Sequence, residues 1–270
     1  MFEIIKSVFL GIIEGITEWL PVSSTGHMIL FNEFLHNKDT FTASDLYIYV
    51  IQLGAILAVV TAFFHKLNPF SPKKSKQEKS DTWQLWFKVI VACIPAAVIG
   101  LLLNDLMDSF ENWIVVSAAL IIYGIAFIIV ERLNIMTKTT ELNRLSYKDA
   151  LMIGAFQVLS IIPGTSRSGS TILGGMLIGC SRSVAAEFSF FLAIPVMFGV
   201  SLLKIVTYKG DIGGHEIAVL LTGMAVAYLV SLAAIKFLMS FVKKHSFTAF
   251  GVYRIILGII VIASFAFFGL

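Results

Sequence analysis

Ile114-Val-Val-Ser-Ala-Ala-Leu-Ile-Ile-Tyr-Gly-Ile-Ala-Phe-Ile-Ile-Val130 runs for seventeen residues without a charged side chain. A helix at the surface of a soluble protein is apolar on one face only. This stretch is apolar all round and approaches the ~20 residues that cross a bilayer core. Five more segments read the same way, roughly 46–64, 86–103, 188–206, 217–239 and 250–269. Runs of this length predict helices, because the strands of a membrane barrel would show alternating segments of ~10 residues. Composition agrees: 57% of the 270 residues are hydrophobic, 14% are charged and the mean hydropathy is +0.88. Soluble domains carry ~25% charged residues. The chain reads as an all-α integral membrane protein, a single membrane domain over 1–270.

Several function classes drop out at once. The net charge is only +3 and the basic residues lie between apolar runs, so nucleic acid is not an expected partner. Cys93 and Cys180 fall in or beside apolar segments and suggest packing, not a metal or disulfide framework. The N-terminus has no basic leader region, and Glu14 and Glu18 interrupt its apolar stretch, which argues against a cleaved signal peptide. Lys66, Lys73, Lys74, Lys76 and Lys79 crowd loop 65–85; Arg132, Lys138, Arg144 and Lys148 mark 131–149; Lys243 and Lys244 mark 240–249. The alternate loops hold few bases, so the basic ones are expected in the cytoplasm. Trp83, Trp86 and Trp113 stand just ahead of predicted spans, as in an aromatic belt.

Two apolar regions are broken, 2–35 at Pro21 and 148–182 at Pro163, into pieces of about 12–16 residues, too short to cross alone. They resemble each other. Pro21-Val-Ser-Ser-Thr-Gly-His-Met-Ile-Leu aligns with Pro163-Gly-Thr-Ser-Arg-Ser-Gly-Ser-Thr-Ile-Leu after one insertion. Each is followed by three spans, so the second copy must be inverted relative to the first. The expected architecture is six transmembrane helices plus two re-entrant helical hairpins in an inverted-topology repeat. The first repeat covers 1–135 (re-entrant 2–35) and the second 145–270 (re-entrant 148–182), with a site near the midplane where the broken helices meet.

The broken regions also hold the polar chemistry. Glu14 and Glu18 are one helical turn apart and share a face. Inside a membrane they need a water-filled cavity, a cation or a basic partner; in the headgroup region they would simply be hydrated. After Pro21 come Ser23, Ser24, Thr25, Gly26 and His27, where free N–H groups and hydroxyls could receive an anion or merely cap the next helix. The second turn holds Gly164, Thr165, Ser166, Arg167, Ser168, Gly169 and Ser170, and arginine reads phosphate bidentately. Such a set suits phosphoryl transfer, which is chiefly positioning and charge neutralisation. Arg182 and Glu187 read as a structural ion pair or helix-end charges, and Gln52 and Gln157 as residues that hold helices together. His36, His65, His215 and His245, and the acidic stretch Asn104, Asp105, Asp108 and Glu111, read as solvated.

Glu14-Gly-Ile-Thr-Glu18-Trp-Leu-Pro-Val-Ser-Ser-Thr-Gly-His27, taken with Pro163-Gly-Thr-Ser-Arg-Ser-Gly169, resembles the bacterial undecaprenyl-diphosphate phosphatase family of the bacitracin-resistance type. The likeness extends over essentially the whole chain. It implies a multi-pass hydrolase of the bacterial inner membrane that converts undecaprenyl diphosphate to the monophosphate and inorganic phosphate. That reaction recycles the lipid carrier of cell-wall synthesis and confers bacitracin resistance. The resemblance assigns Glu14 and Glu18 as essential acids, His27 as the motif histidine and Arg167 as the phosphate ligand. It also implies a divalent cation, Mg²⁺ or Ca²⁺, held at Glu14 and Glu18, and a site open to the outer side. Expected partners are the polyprenyl diphosphate and membrane lipids, with a homodimer left open. Ser24 is the expected nucleophile, with water as the alternative; His27 stands as base or nucleophile. Ser23, Thr25, Gly26, Gly164, Thr165, Ser166 and Ser168 would bind substrate. A transporter or flippase for a lipid phosphate is the competing reading, since inverted repeats suit transporters too. An intramembrane serine protease would leave Arg167 and the glutamates without a use.

Overall fold

The computed structural model describes residues 2–34, 40–107 and 112–268, except the side chains of Thr25, Ile29, 32–34, 104–107 and 267–268. Among the described residues there are eleven α-helices and no strand. In chain order they are α1 (Phe2–Thr17), α2 (Ser24–Phe34), α3 (Asp45–Ala62), α4 (Phe64–Leu67), α5 (Lys76–Met107), α6 (Trp113–Arg132), α7 (Tyr147–Val158), α8 (Arg167–Leu177), α9 (Arg182–Thr207), α10 (Gly214–Phe241) and α11 (Thr248–Phe268). Six of these, α3, α5, α6, α9, α10 and α11, are long and apolar enough to cross a membrane, as the sequence predicts. The large apolar side chains they leave outside, Leu101, Phe198 and Leu229 among them, are what hydrocarbon solvates.

Two spans begin earlier than their apolar runs. Ser75 accepts from the Glu78 N–H while the Glu78 carboxylate accepts from the Ser75 N–H, and this reciprocal cap starts α5 in hydrophilic sequence. Trp83 and Trp86 therefore stand inside α5, not ahead of it, whereas Trp113 does open α6. The Ser181 hydroxyl caps α9 by accepting from the Val184 N–H, which carries the helix back to Arg182.

The two broken regions form the pairs α1–α2 and α7–α8. Helix α1 packs on α10 and α7 packs on α5; α6 and α11 lie together, and α3 touches both α9 and α10. Glycine permits the closest of these approaches. At Gly54 of α3 an added Cβ would run into the Met224 backbone of α10, and at Gly154 of α7 it would meet the Ala92 backbone of α5. Hydroxyls tie the same seams: Ser7 donates to the Val219 carbonyl at 2.7 Å while Tyr47 donates to Ser7 at 2.7 Å. Gly54→Leu is expected to lower stability by ~1–3 kcal/mol through overpacking. Gly199→Ala, where nothing lies within 4 Å of the new methyl, should leave it unchanged or slightly higher. Thermal unfolding in detergent compares the two; equal melting points would remove the argument from close approach.

Candidate active site

Each broken region is interrupted by the same local device. Pro21 has no N–H to continue the first helix, and two residues later Ser23 takes a left-handed φ of 73°. Its hydroxyl then accepts from the Gly26 N–H at 3.2 Å and starts α2. In the second region Ser166 has φ 74° and accepts from the Gly169 N–H at 3.1 Å, starting α8. Ser23 and Ser166 are thus structural equivalents, and the one-residue insertion lies between Pro163 and Ser166. Gly164, at φ 86°, lies so close to the Val116 backbone that only glycine fits.

With Ser23 and Ser166 matched, Ser24 and Arg167 occupy the same position of their turns, and both bind one carboxylate. Ser24 Oγ donates to Glu18 Oε2 at 2.9 Å. Arg167 Nη2 donates to Glu18 Oε1 at 2.8 Å and Nη1 to the Ser189 carbonyl at 2.7 Å. The guanidinium carbon lies 5.8 Å from the centre of the buried Trp19 ring, which meets Phe190 edge-on at 5.3 Å. Glu14 and Glu18 are buried, so the sequence-predicted carboxylates enter the protein interior and do not lie in water. Both oxygens of Glu18 are engaged, but Glu14 Oε1 has no hydrogen-bond partner among the described residues. The same is true of Thr165 Oγ1 and Arg167 Nε.

The remaining expected binding groups divide. Ser168 Oγ donates to the Glu18 carbonyl at 3.0 Å, so it joins the two halves. Ser23 and Ser166 act as caps, and Gly26 supplies the capped N–H. The Thr25 side chain lies outside the described residues. His27 points away from Glu18: its Nδ1 meets the Ser23 carbonyl at 2.7 Å and its Nε2 meets the Tyr253 hydroxyl at 2.6 Å. The proton acceptor already facing Ser24 is therefore Glu18, not His27.

One residue at this junction escapes the sequence reading. Arg254 of α11 is completely buried, its Nη1 donating to the Pro21 carbonyl at 3.2 Å. Its Nη2 donates to the carbonyls of Gly164 and Thr165 at 3.0 and 2.9 Å. One guanidinium thereby fastens both turns. The available signal was a lone charge within an apolar span, which is a functional candidate by default.

Other expectations change. Arg182 and Glu187 do not pair with each other. Arg182 makes a bidentate bridge to Glu131, which also accepts from the Phe247 N–H at 2.7 Å, and Glu187 takes Lys66 at 2.6 Å. Buried Gln157 does not hold helices together by hydrogen bonding, since neither amide atom has a partner among the described residues. Cys180 is free and buried, its thiol pushed up to about 12 by burial, in keeping with packing. His215 meets Glu3 at 3.1 Å. His36, Asp108 and Glu111, with the side chains of Asn104 and Asp105, lie outside the described residues.

The sequence profile described as "Bacitracin resistance protein BacA" matches residues 7–260. The chain belongs to the BacA family. Among BacA relatives, an undecaprenyl-diphosphatase of Enterococcus faecalis is 59% identical over 97% of each chain. One from Limosilactobacillus fermentum is 57% identical over 98% of this chain and 99% of its own. One from Acetivibrio thermocellus is 55% identical over 98% of each. The BacA match spans both broken regions and all six long helices up to the middle of α11, with Arg254 included.

Proposed function

We propose that this chain hydrolyses undecaprenyl diphosphate to undecaprenyl phosphate and inorganic phosphate at the Glu18–Arg167 junction. The observation that carries the site is the convergence of Ser24 and Arg167, from equivalent positions of two separate turns, on one buried carboxylate. An entering diphosphate competes with Glu18 for Arg167, because both are anions that read the same N–H fork. Arg167 then neutralises charge on the transferring phosphoryl group, and Glu18 is left to take the Ser24 proton. Ser24 Oγ attacks the terminal phosphorus, the bridging P–O bond breaks, and undecaprenyl phosphate departs with the electron pair. Water hydrolyses the phosphoserine and restores Ser24.

The residues fit a divalent cation held partly by substrate. No group of three or more His, Cys, Asp or Glu residues able to hold a metal occurs among the described residues, but Mg²⁺ commonly uses one or two carboxylates plus phosphate oxygens. Glu14, with its unpartnered oxygen, would be the first ligand and Glu18 the second. The cation supplies charge neutralisation on the phosphates when bound.

The inverted repeat and its re-entrant hairpins belong to the same reading. Their support is the matched left-handed serines and the corresponding packing of α1 on α10 and α7 on α5. The basic loops support a cytoplasmic placement of 65–85, 131–149 and 240–249 in a bacterial inner membrane, with the headgroup reached from the outer side.

Phosphate released from a long-chain prenyl diphosphate in detergent tests the proposal. Wild type is expected to turn over only with a divalent cation, and Ser24→Ala to lose ~10²-fold or more. Near wild-type turnover by Ser24→Ala would assign the attack to water. No release by folded wild type with any cation would favour lipid transport instead.

A further inference from the structure

We propose that Tyr253 is a positioning residue of the hydrolase site: its hydroxyl donates to His27 Nε2 and holds the imidazole on the Ser23 carbonyl, which latches the left-handed turn that presents Ser24. The inference rests on the function proposed above only for its kinetic part.

The hydrogen-bond directions follow from chemistry. The Ser23 carbonyl can only accept, so the His27 Nδ1 that meets it at 2.7 Å carries a proton. In a neutral ring Nε2 is then an acceptor, and the Tyr253 hydroxyl, 2.6 Å away, must donate. The rings lie parallel, 5.7 Å between centroids and 5° apart, which holds the imidazole plane fixed. The chain of bonds therefore runs from Tyr253 through His27 to the carbonyl of Ser23.

Ser23 needs such support. A non-glycine residue at φ 73° is strained by roughly 1–3 kcal/mol and persists where its surroundings over-determine it. Its hydroxyl is fixed by the Gly26 N–H and its carbonyl by His27, while Arg254 holds the carbonyl of Pro21 two residues earlier. Consecutive residues of α11 thus grip both sides of the turn, Arg254 directly and Tyr253 through His27.

The second turn repeats the arrangement with a different intermediary. Ser170 occupies the position matched to His27 and donates to the Ser166 carbonyl at 3.1 Å. A polar side chain four residues on, bonded to the carbonyl of a left-handed serine, recurs at both turns. Only the turn beneath the expected nucleophile uses an imidazole.

Protein labelled with ¹⁵N at histidine reads the tautomer directly, with His27→Gln identifying the signal. Wild type should show His27 protonated at Nδ1 and unprotonated at Nε2. Tyr253→Phe keeps the stacked ring and removes one oxygen; the Ser23 carbonyl still holds the Nδ1 proton, so the tautomer should persist while the Nε2 signal shifts with the loss of its hydrogen bond. The variant's kcat should fall about tenfold with KM nearly unchanged. The double variant Tyr253→Phe/His27→Gln should be no slower than His27→Gln alone, as for two residues acting through one contact. An Nε2 signal unchanged in Tyr253→Phe, or losses that multiply in the double variant, would overturn the latch. The spectrum needs no turnover, so an inactive wild type would count against the proposed function and not against the latch.

Discussion

Arg167→Ala is expected to release phosphate at least ~10³-fold more slowly than wild type while still inserting into membranes. Removing one preorganised donor to a developing oxyanion typically slows a reaction ~10²–10³-fold. Arg167 also balances a buried carboxylate, and breaking such a pair from one side costs about 3–5 kcal/mol. Both losses fall on the same small region, since Glu18 would keep Ser24 as a partner but lose its cation. Arg167→Lys should not rescue. One ammonium cannot reach the Ser189 carbonyl and Glu18 Oε1 along the two fixed directions that Nη1 and Nη2 provide. Phosphate release per folded protein, with folding judged by thermal unfolding, checks this. A lysine variant within tenfold of wild type would reduce Arg167 to a point charge.

The second large effect is expected at Arg254, and it should appear in stability as well as rate. Arg254→Met keeps much of the apolar stem but leaves the carbonyls of Pro21, Gly164 and Thr165 without their guanidinium donor. A buried polar group deprived of its partner costs about 1–3 kcal/mol. Three together therefore approach the total stability of many domains. The variant should melt well below wild type and hydrolyse substrate slowly even where folded, because both turns lose their common anchor. Arg254→Lys should be intermediate, with one ammonium serving fewer acceptors. Differential scanning fluorimetry in detergent beside the phosphate assay separates the two effects. Wild-type melting with wild-type turnover would mean that the turns hold themselves.

The membrane class and the breaks were legible because they depend on local sequence. Uncharged runs such as 114–130 have few alternatives to a spanning helix, and proline marks both interruptions. Glu18 and Arg167 were legible because charges inside apolar sequence need partners. What escaped depends on which distant elements meet. Arg254 looked like part of a span since its acceptors are backbone carbonyls, which no side-chain pattern reveals. The true partners of Arg182 and Glu187 were hidden for the same reason: Glu131 and Lys66 are 51 and 121 residues away. His27 was read beside Ser24 because they are neighbours in sequence, but the helix turns its ring toward α11 and Tyr253.

The separation of the charged partners also sets an order of events during synthesis. Glu18 leaves the ribosome 149 residues before Arg167, and Pro21 leaves 233 residues before Arg254. At ~5–20 residues per second, α1 and α2 wait roughly 10–50 s for the groups that neutralise and anchor them. Glu18 gains its cationic partner when Arg167 of α8 is made, and the first turn is fastened only when Arg254 of α11 follows. If the proposed site is the active one, competence is expected only at the end of translation, and a chain cut short before α11 would carry Glu14, Glu18 and Arg167 with their turns unfastened.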